Sequence, residues 1–409
     1  MNRRQRIAIG LVWFFSLGGW GAFFPFFSLY LRENAGLSGS QIGSVLAVLP
    51  LVGMFAQPLW GQLGDRSGSR TGVLALLGTG ACIGYATLAT VDTYAGFLLG
   101  TALLACFASA LIPSAVAVTL AVVRDGGPHD FGLSRVWGTL GFFVVVVSFP
   151  HLLDAWQSSR NLQALPGGPS EPGLAIMFPV TAAFVLAGAL AALMLPRWGA
   201  VALRSNRGEW RLLLRHKPFL RALLFTLAAY IFLQGPITMF PVFVRSHGGT
   251  LGDVSDMWIL MLLLEVPLVA GSGLSLERVG ARGLLAVGVL SGGLRWVLCG
   301  WSGDLSWIHW SSILHGVTVA GLVIGGPLYV ESVVPERLRS TGQGMLAMVG
   351  FSLGGILSNL ACGWLFDHLG PRAPYLVGGA GALVLGSLVT FLLPDPTHPT
   401  EAAKRAARD

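Results

Sequence analysis

The sequence predicts an all-α membrane protein with twelve transmembrane helices in two pseudo-symmetric six-helix bundles. Hydrophobic residues make up 54% of the 409 residues and charged residues only 11%, so most of the chain has no aqueous surface to cover. Apolar segments of about 20 residues, the length that crosses a bilayer as a helix, recur along the chain. A loop motif that begins at Gly61 occurs again from Gly273, 212 residues later, which indicates two copies of one membrane unit.

Six apolar segments lie in each half of the chain. In the first half they cover residues 7–31, 41–63, 71–91, 94–121, 131–153 and 174–195. In the second half they cover residues 219–244, 253–276, 283–302, 308–330, 342–366 and 373–393. An arginine-rich stretch separates the halves, and a short polar tail follows the last segment. We therefore expect an N-terminal bundle, a linker, a C-terminal bundle and a tail at residues 1–196, 197–217, 218–393 and 394–409.

The positive charges predict the orientation of these helices. Lys and Arg number 26 against 19 Asp and Glu, a formal net charge of +7. If the helices alternate in direction, 21 of the 26 basic residues lie at the N-terminus, in the even-to-odd loops, in the linker and in the tail. Loops rich in Lys and Arg stay on the cytoplasmic side, so we expect both termini in the cytoplasm. Topology thus explains the charge without nucleic acid, for which the chain has no groove-reading module.

The sequence predicts neither an enzyme, nor a metal site, nor a cofactor. The four cysteines, Cys82, Cys106, Cys299 and Cys362, all fall inside apolar segments, so they indicate neither a disulfide framework nor a zinc site. The chain has no G-x-x-x-x-G-K-[ST] phosphate-binding loop, and no nucleophile with a base and an orienting residue can be assembled. We therefore expect no ATP-driven step and no bound cofactor.

The repeated loop motif carries a resemblance to a known family. The run Gly61–Arg70, GQLGDRSGSR, resembles the G-x-L-x-D-R-x-G-x-R signature of the major facilitator superfamily of transporters, found between their second and third helices. The second copy, Gly273–Arg282, has Ser275 in place of the leucine and Glu277 in place of the aspartate. The resemblance implies the major facilitator fold, in which such a degenerate second copy is a product of internal duplication.

We assign the two loops a gating role on the cytoplasmic side. The acid in each loop would meet the N-terminal end of a helix in the other half, where unpaired N–H groups carry partial positive charge. Asp65 would face the helix that starts near Thr341, and Glu277 would face the helix that starts near Phe131. The alternative is that the arginines of these loops only anchor the topology. The gating residues are Gly61, Asp65, Arg66, Gly68, Arg70, Glu277, Arg278 and Arg282.

Three ionisable residues lie within apolar segments of the second half. Glu265 is near the middle of the eighth segment, Arg295 near the middle of the ninth and His315 in the outer half of the tenth. Charged groups are costly inside a membrane, so each is a functional candidate. We expect Glu265 to load and release a proton as Arg295 moves away and approaches, with His315 as a relay or polar contact. The alternatives are a static Glu265–Arg295 ion pair and an interior histidine that hydrogen-bonds a carbonyl group.

The segment Phe131–Gly138, FGLSRVWG, narrows the resemblance. It is similar to the helix 5 signature of the lactose-permease-like group and its relatives, the phenylpropionate-type and nucleoside:proton permeases. The resemblance implies that Arg135 contacts substrate and that the three ionisable residues match the helix 8 acid, helix 9 arginine and helix 10 histidine of lactose permease. The chain departs from that permease at Thr318, where the permease has an acid, and in helix 4, which has no carboxylate. These departures favour an anionic or carbonyl-bearing solute over a galactoside, although Arg135 could instead snorkel to the cytoplasmic face.

Other polar and aromatic residues within the apolar segments are candidate substrate contacts. The amides can hydrogen-bond a solute, and the aromatic rings can stack on a ring of the solute. The alternative for each aromatic residue is ordinary packing inside a bundle. With Arg135, the predicted substrate contacts are Phe27, Tyr30, Gln57, Phe142, Gln234 and Asn359.

Taken together, these patterns predict a secondary active transporter. We expect proton-coupled import of a small organic solute, either an aromatic or other organic acid, a nucleoside or a sugar-like molecule, by alternating access. The partners would be the solute, protons and the lipid bilayer of a bacterial inner membrane, with the chain acting as a monomer. A proton-coupled exporter of drugs or metabolites is the alternative, because the motifs do not encode direction. A membrane sensor without transport would have a large soluble domain or a gating motif that has lost its key residues; the sequence has no such domain, and its first motif keeps every fixed position.

Overall fold

The chain is helical in a computed structural model that describes residues 3–123, 127–164, 168–196, 210–270 and 272–395, apart from the side chains at 127–130, 269–270 and 272–277. No strand occurs in these ranges. The chain divides into two compact units. Unit 1 comprises Met1–Leu203, Thr238–Ile259 and Asn359–His368, and unit 2 comprises Arg204–Ile237, Leu260–Ser358 and Leu369–Asp409. Two segments of the second half therefore belong to unit 1, and the domain boundaries expected from the sequence repeat stay predictions.

Nineteen α-helical segments, α1 to α19, occur in the described ranges, and α12 is kinked at Gly280, where φ is +67° and ψ is 170°. Those of the first half are α1 Arg3–Phe23, α2 Phe27–Glu33, α3 Gly39–Arg66, α4 Arg70–Leu88, α5 Tyr94–Val122, α6 Gly127–Ser159 and α7 Met177–Leu193. Helix α8, Trp210–Arg215, lies within the predicted linker, and the helices after it are α9 Lys217–Thr238, α10 Phe240–Ser246, α11 Leu251–Ala270, α12 Ser272–Ser302, α13 Leu305–Ser311, α14 Leu314–Val319, α15 Gly326–Val333, α16 Arg339–Met345, α17 Gly354–Leu369, α18 Ala373–Ser387 and α19 Val389–Leu392.

Helix α3 illustrates how the sequence sets the ends of these helices. The Ser38 hydroxyl accepts a hydrogen bond from the Gln41 amide at 3.2 Å, and the Gln41 side chain accepts one from the Ser38 amide at 3.0 Å. This reciprocal capping box satisfies two N–H groups at the start of the helix. After the helix the chain turns at Gly68, whose φ of +65° lies in the left-handed region that favours glycine.

Glycines allow the helices of unit 1 to approach one another closely. A Cβ atom at Gly141 of α6 would lie 2.2 Å from the Phe14 carbonyl oxygen of α1. A Cβ atom at Gly21 of α1 would lie 2.8 Å from the Phe142 carbonyl oxygen. Small residues at helix interfaces are typical of membrane bundles, where van der Waals contact holds helices together.

Ten helical stretches in the described part of the chain are long and apolar enough to cross a membrane, with mean hydropathy between 1.5 and 2.2. They coincide with ten of the segments predicted from hydropathy. The eighth predicted segment falls on α11, and the twelfth falls on α18 and α19. The structure therefore confirms an all-helical protein built from apolar, membrane-length helices.

Two stretches of π-helix interrupt the spans of unit 2. One, Ala320–Gly325, joins α14 to α15, and the other, Leu346–Leu353, joins α16 to α17. A π-helical turn widens the helix locally and often occurs at functional sites. Hydropathy does not predict such turns, although the glycines within both stretches are compatible with them.

Candidate functional site

A cavity of about 120 Å³ lies inside unit 2. Helices α9, α12 and α14 form most of its wall, and both π-helical stretches contribute to it. Apolar side chains predominate, and a few polar groups converge among them, as in most small-molecule sites. The wall consists of Tyr230, Leu233, Gln234, Ile237, Gly292, Arg295, Trp296, His315, Thr318, Val319, Leu322, Val323 and Phe351.

Arg295 is the central charged group of this cavity. Its side chain exposes only 1% of its surface. One guanidinium nitrogen, Nη1, lies 3.1 Å from Nδ1 of His315, and the guanidinium carbon lies 4.2 Å from the ring centroid of Trp296. The second terminal nitrogen, Nη2, lies 3.6 Å from the Met261 sulfur. A buried charge needs such partners, and the aromatic face supplies a cation–π contribution.

Glycines make room for this arrangement. A Cβ atom at Gly292, one turn before Arg295, would lie 2.9 Å from Leu233 and 3.0 Å from Thr318, so a larger residue would intrude into the cavity wall. A Cβ atom at Gly316 would lie 2.7 Å from the backbone nitrogen of Glu265. Helix α14 therefore packs directly against the backbone of α11 at Glu265, next to His315.

The structure thus brings the three predicted coupling residues together in one unit. Arg295 and His315 are in direct contact and share the cavity wall. Glu265 is half-buried on α11, and its backbone contacts the residue that follows His315. A guanidinium nitrogen can only donate a hydrogen bond, so Nδ1 of His315 is the acceptor in this contact.

Two further polar residues lie in the cavity wall. Gln234, a predicted substrate contact, is half-buried on α9. Thr318 occupies the position at which the resemblance to lactose permease implied an acid, and its hydroxyl donates to the Leu314 carbonyl oxygen at 3.1 Å. Tyr230 and Phe351 lie edge-to-face with ring centroids 5.4 Å apart, which gives the wall an aromatic side.

The predicted aromatic contacts Phe27 and Tyr30 lie in the interior of unit 1. Phe27 exposes 1% of its surface and stacks on Phe23 with ring centroids 4.3 Å apart. Tyr30 exposes 9% and packs edge-on against Phe178 at 5.0 Å. These contacts support the packing alternative considered for aromatic residues in the bundle.

The remaining predicted substrate contacts also lie in unit 1, at separate places. Arg135 is exposed on α6, and the Phe142 ring is half-buried at 6.1 Å from the Trp258 ring. Asn359 is 2% exposed, and its side-chain oxygen accepts a hydrogen bond from Thr238. Gln57 lines a second cavity, of about 260 Å³, whose wall also contains Trp60, Gly61, Gly64, Asp65, Arg70, Val73, Ala110, Pro113, Ser114 and Ala117.

Both copies of the loop motif contain a glycine with a positive φ. Gly68 and Gly280 occupy equivalent positions and have φ of +65° and +67°. Arg70 pairs with Asp65 at 2.8 Å in the first copy, and Arg282 pairs with Asp395 at 2.8 Å in the second. Arg66 and Arg278 are exposed, and a Cβ atom on Gly61 would have open space around it beyond the backbone of its own helix. The Glu277 side chain lies outside the described residues, and the contacts expected for the two acids stay predictions.

A third acid, which was not among the predicted site residues, caps the first turn of α3. The Asp367 carboxylate accepts hydrogen bonds from the Gly39 amide at 2.6 Å, the Ser40 amide at 2.7 Å and the Ser40 hydroxyl at 2.7 Å. A carboxylate at a helix N-terminus satisfies unpaired N–H groups and interacts favourably with the helix dipole. Asp367 precedes Gly370 by three residues, as Asp65 precedes Gly68, and Gly370 has a φ of +86°. This repeated acid–glycine spacing is the sequence signal that could have identified the cap.

Glycines hold α3 against α17 beside this cap. A Cβ atom at Gly43 would lie 2.3 Å from the Asn359 carbonyl oxygen, and one at Gly363 would lie 2.3 Å from the Gly39 carbonyl oxygen. Such backbone contact is possible only where side chains are absent. We call the capped α3–α17 contact, formed by residues 39–43 and 359–367, the seam of unit 1.

An ion-pair cluster joins other distant parts of unit 1. Arg245 contacts Glu33 at 3.2 Å through Nε and Glu171 at 2.7 Å through Nη2. All three side chains are between 15% and 20% exposed. Glu33 also accepts a hydrogen bond from Ser170. A networked arginine of this kind holds its neighbours more effectively than an isolated surface pair.

The chain is similar in sequence and in fold to known proteins. A model of the MFS_1 like family matches residues 7–377. The maltose permease of Geobacillus stearothermophilus is 30% identical over 95% of this chain and 94% of its own length. The probable 3-phenylpropionic acid transporter of Escherichia coli is 25% identical over 89% of this chain and 91% of its own. The crystal structure of nucleoside transporter NupG superimposes with a TM-score of 0.81 at 18% identity, covering 96% of this chain and 99% of that one.

The Asp367 cap can be tested by hydrogen–deuterium exchange. In Asp367→Ala the Gly39 and Ser40 amides lose a charged acceptor, so we expect their exchange to accelerate about ten-fold, a factor in keeping with the hydrogen bonds lost. The matched control is Asp253→Ala, because Asp253 accepts from the Thr250 amide at the start of its own helix at 2.7 Å. That variant should change exchange only near residue 250. Unchanged exchange at residues 39 and 40 in Asp367→Ala would show that the cap does not stabilise α3.

Proposed function

The chain belongs to the MFS_1 like family and is a multi-pass membrane transporter of the major facilitator type, and from this premise we propose that it imports a small organic solute together with a proton. The observation that carries the proposal is the unit 2 cavity, where buried Arg295 contacts His315 beside Gln234. A buried, partnered charge in a membrane protein marks a substrate or ion pathway. The relatives of this chain are transporters and not enzymes.

For the topology we propose twelve spans, with both termini in the cytoplasm. The ten apolar membrane-length stretches, together with α11 and α18, support the number of spans. The bias of Lys and Arg toward one set of loops supports the orientation. We retain residues 1–196 and 218–393 as the two repeats, with 197–217 as linker and 394–409 as tail, because the loop motif and its positive-φ glycine recur 212 residues apart.

For the substrate we propose a sugar-like or nucleoside solute, with an organic acid as the next class. Arg295 and Gln234 can donate hydrogen bonds to hydroxyl or carbonyl groups, and the Tyr230–Phe351 pair offers an apolar edge to a ring. The names of the relatives include a maltose permease and nucleoside transporters. Arg135, Gln57, Phe142 and Asn359 stay predicted contacts, whereas the packing of Phe27 and Tyr30 supports a structural role.

For coupling we propose that Glu265 carries the proton. Its carboxylate takes up a proton from one side of the membrane and releases it to the other. Arg295 favours the ionised form of a nearby acid. His315, in contact with Arg295, relays the proton or serves as a polar contact. The contact between Gly316 and the Glu265 backbone links the position of the acid to that of the histidine.

Uptake into proteoliposomes tests this function. The panel contains maltose, a galactoside, a nucleoside and 3-phenylpropionic acid, each with and without an inwardly directed proton gradient. We expect one class of solute to accumulate, and to do so only when the proton gradient is present. Glu265→Gln should reduce gradient-driven accumulation at least ten-fold, because Gln cannot release a proton. Exchange of solute across the membrane should continue in this variant.

The matched control for this experiment is Glu331→Gln, at an exposed glutamate that lies 3.5 Å from Arg339. It should accumulate solute like the unmodified chain. Accumulation by Glu265→Gln at the unmodified rate would overturn the coupling role of Glu265. Uptake that ignores the proton gradient in the unmodified chain would overturn proton coupling as a whole.

The gating role of the first loop motif has its own test. Asp65→Asn removes the charge that pairs with Arg70 and that we propose a helix N-terminus attracts in one state of the cycle. We expect the uptake rate per inserted molecule to fall several-fold with membrane insertion unchanged. Asp154→Asn, at an exposed acid on α6, provides the control. If both variants transport at the same rate as the unmodified chain, the loop serves topology alone.

A further inference from the structure

A groove with a volume of about 430 Å³ runs along the surface of unit 1 between α1 and α6. It is separate from both cavities described above. Apolar side chains form its length, and one arginine stands at its end. Its wall consists of Arg6, Ile7, Gly10, Leu11, Phe14, Phe15 and Trp137.

The groove exists because a glycine lies under an aromatic ring. A Cβ atom at Gly10 would lie 3.3 Å from Cδ1 of Trp137, so the ring lies directly over the bare backbone of α1. Ile7 and Trp137 expose 49% and 51% of their surfaces. A continuous apolar depression of this size marks an interaction site more than scattered exposed side chains do.

Positive charge is concentrated at the end of the groove where α1 begins. Arg6 is part of the wall, and Arg3 precedes it by three residues on the same helix. Residues three and four positions apart share one face of a helix, so Arg3, Arg6 and Gly10 follow one another along the groove side of α1. The membrane-length stretch Arg3–Glu33 starts here, which places these arginines at the boundary between apolar membrane and water.

We propose that this groove binds an anionic phospholipid, with one acyl chain along the apolar wall and the phosphate group at Arg6. The groove offers both features that such a molecule needs. Arg6 supplies a cation at the depth of the headgroup, and about two helical turns of apolar surface beyond it face the acyl chain. Basic pockets between transmembrane helices bind anionic headgroups in this manner, and arginine binds phosphate oxygens with two donors at once. A zwitterionic lipid offers the same acyl chain but no net charge to Arg3 and Arg6.

Native mass spectrometry of the purified full chain tests the proposal. Phosphatidylglycerol and phosphatidylcholine with identical acyl chains are titrated in parallel, and retained lipid is counted. We expect phosphatidylglycerol to be retained preferentially, and Arg6→Gln to weaken its binding about five-fold, the factor expected for one basic side chain near the membrane surface. The matched control is Arg4→Gln, because Arg4 lies on the same helical turn but points about 200° away from Arg6. Equal effects of the two variants, or equal retention of the two lipids, would overturn the proposal.

Tryptophan fluorescence gives an independent measurement. The chain has 13 tryptophans, and a brominated acyl chain quenches those it touches. In the presence of brominated phosphatidylglycerol, Trp137→Phe should lose a larger share of the quenchable signal than Trp310→Phe, a control at a position that is 62% exposed. Filling the groove with Ile7→Trp should reduce phosphatidylglycerol retention, whereas Leu190→Trp, at an exposed site on α7, should not. Quenching that is indifferent to Trp137 would contradict an acyl chain in the groove.

Discussion

The burial of the Arg295 guanidinium constrains the residues that form the cavity of unit 2. Removing a charge from water costs several kcal/mol unless nearby groups stabilise it, and only 1% of this side chain is exposed. Trp296 and His315 supply those groups. Gly292 leaves the space that the cavity requires, and Gly316 brings the helix of His315 against the helix of Glu265. A charge held in this way at a cavity wall is suited to bind a polar solute and to influence a neighbouring acid.

Unit 1 relies on a different constraint, the close approach of helix backbones. Gly39, Gly43 and Gly363 allow α3 and α17 to meet at the seam, and Asp367 satisfies the N–H groups that this meeting leaves at the start of α3. The cap uses an acid three residues before a positive-φ glycine, the spacing found in both copies of the loop motif. The same spacing thus occurs at three places in the sequence, Asp65–Gly68, Glu277–Gly280 and Asp367–Gly370.

Sequence patterns predicted the helical fold and the family because both depend on local features. The length of the apolar segments and the bias of Lys and Arg among the loops are visible in the sequence without tertiary structure. The glycines of the loop motifs favour the positive φ that the structure shows. The cost of intramembrane charge singled out Glu265, Arg295 and His315, with Arg295 expected to act on Glu265 and His315 as a relay or polar contact, and these roles stay predictions. The interior position of Phe27 and Tyr30 could not be read, because helices that are apolar all round have no periodicity that tells one face from another. The π-helical turns carry no signal in hydropathy, and the acid–glycine spacing at Asp367 points to a cap without naming its partners, Gly39 and Ser40, which lie more than 300 residues away.

Equilibrium binding of solute to the purified chain tests the role of Arg295 most directly. Titration calorimetry with maltose, a nucleoside and 3-phenylpropionic acid compares the unmodified chain with Arg295→Lys, which keeps the charge but loses the planar set of donors. The control is Arg337→Lys, at an exposed arginine outside the cavity. We predict that the bound solute loses about 100-fold in affinity with Arg295→Lys, equivalent to about 2.7 kcal/mol, and none with Arg337→Lys. Equal affinity in all three proteins, with folding intact, would contradict a solute site built around Arg295.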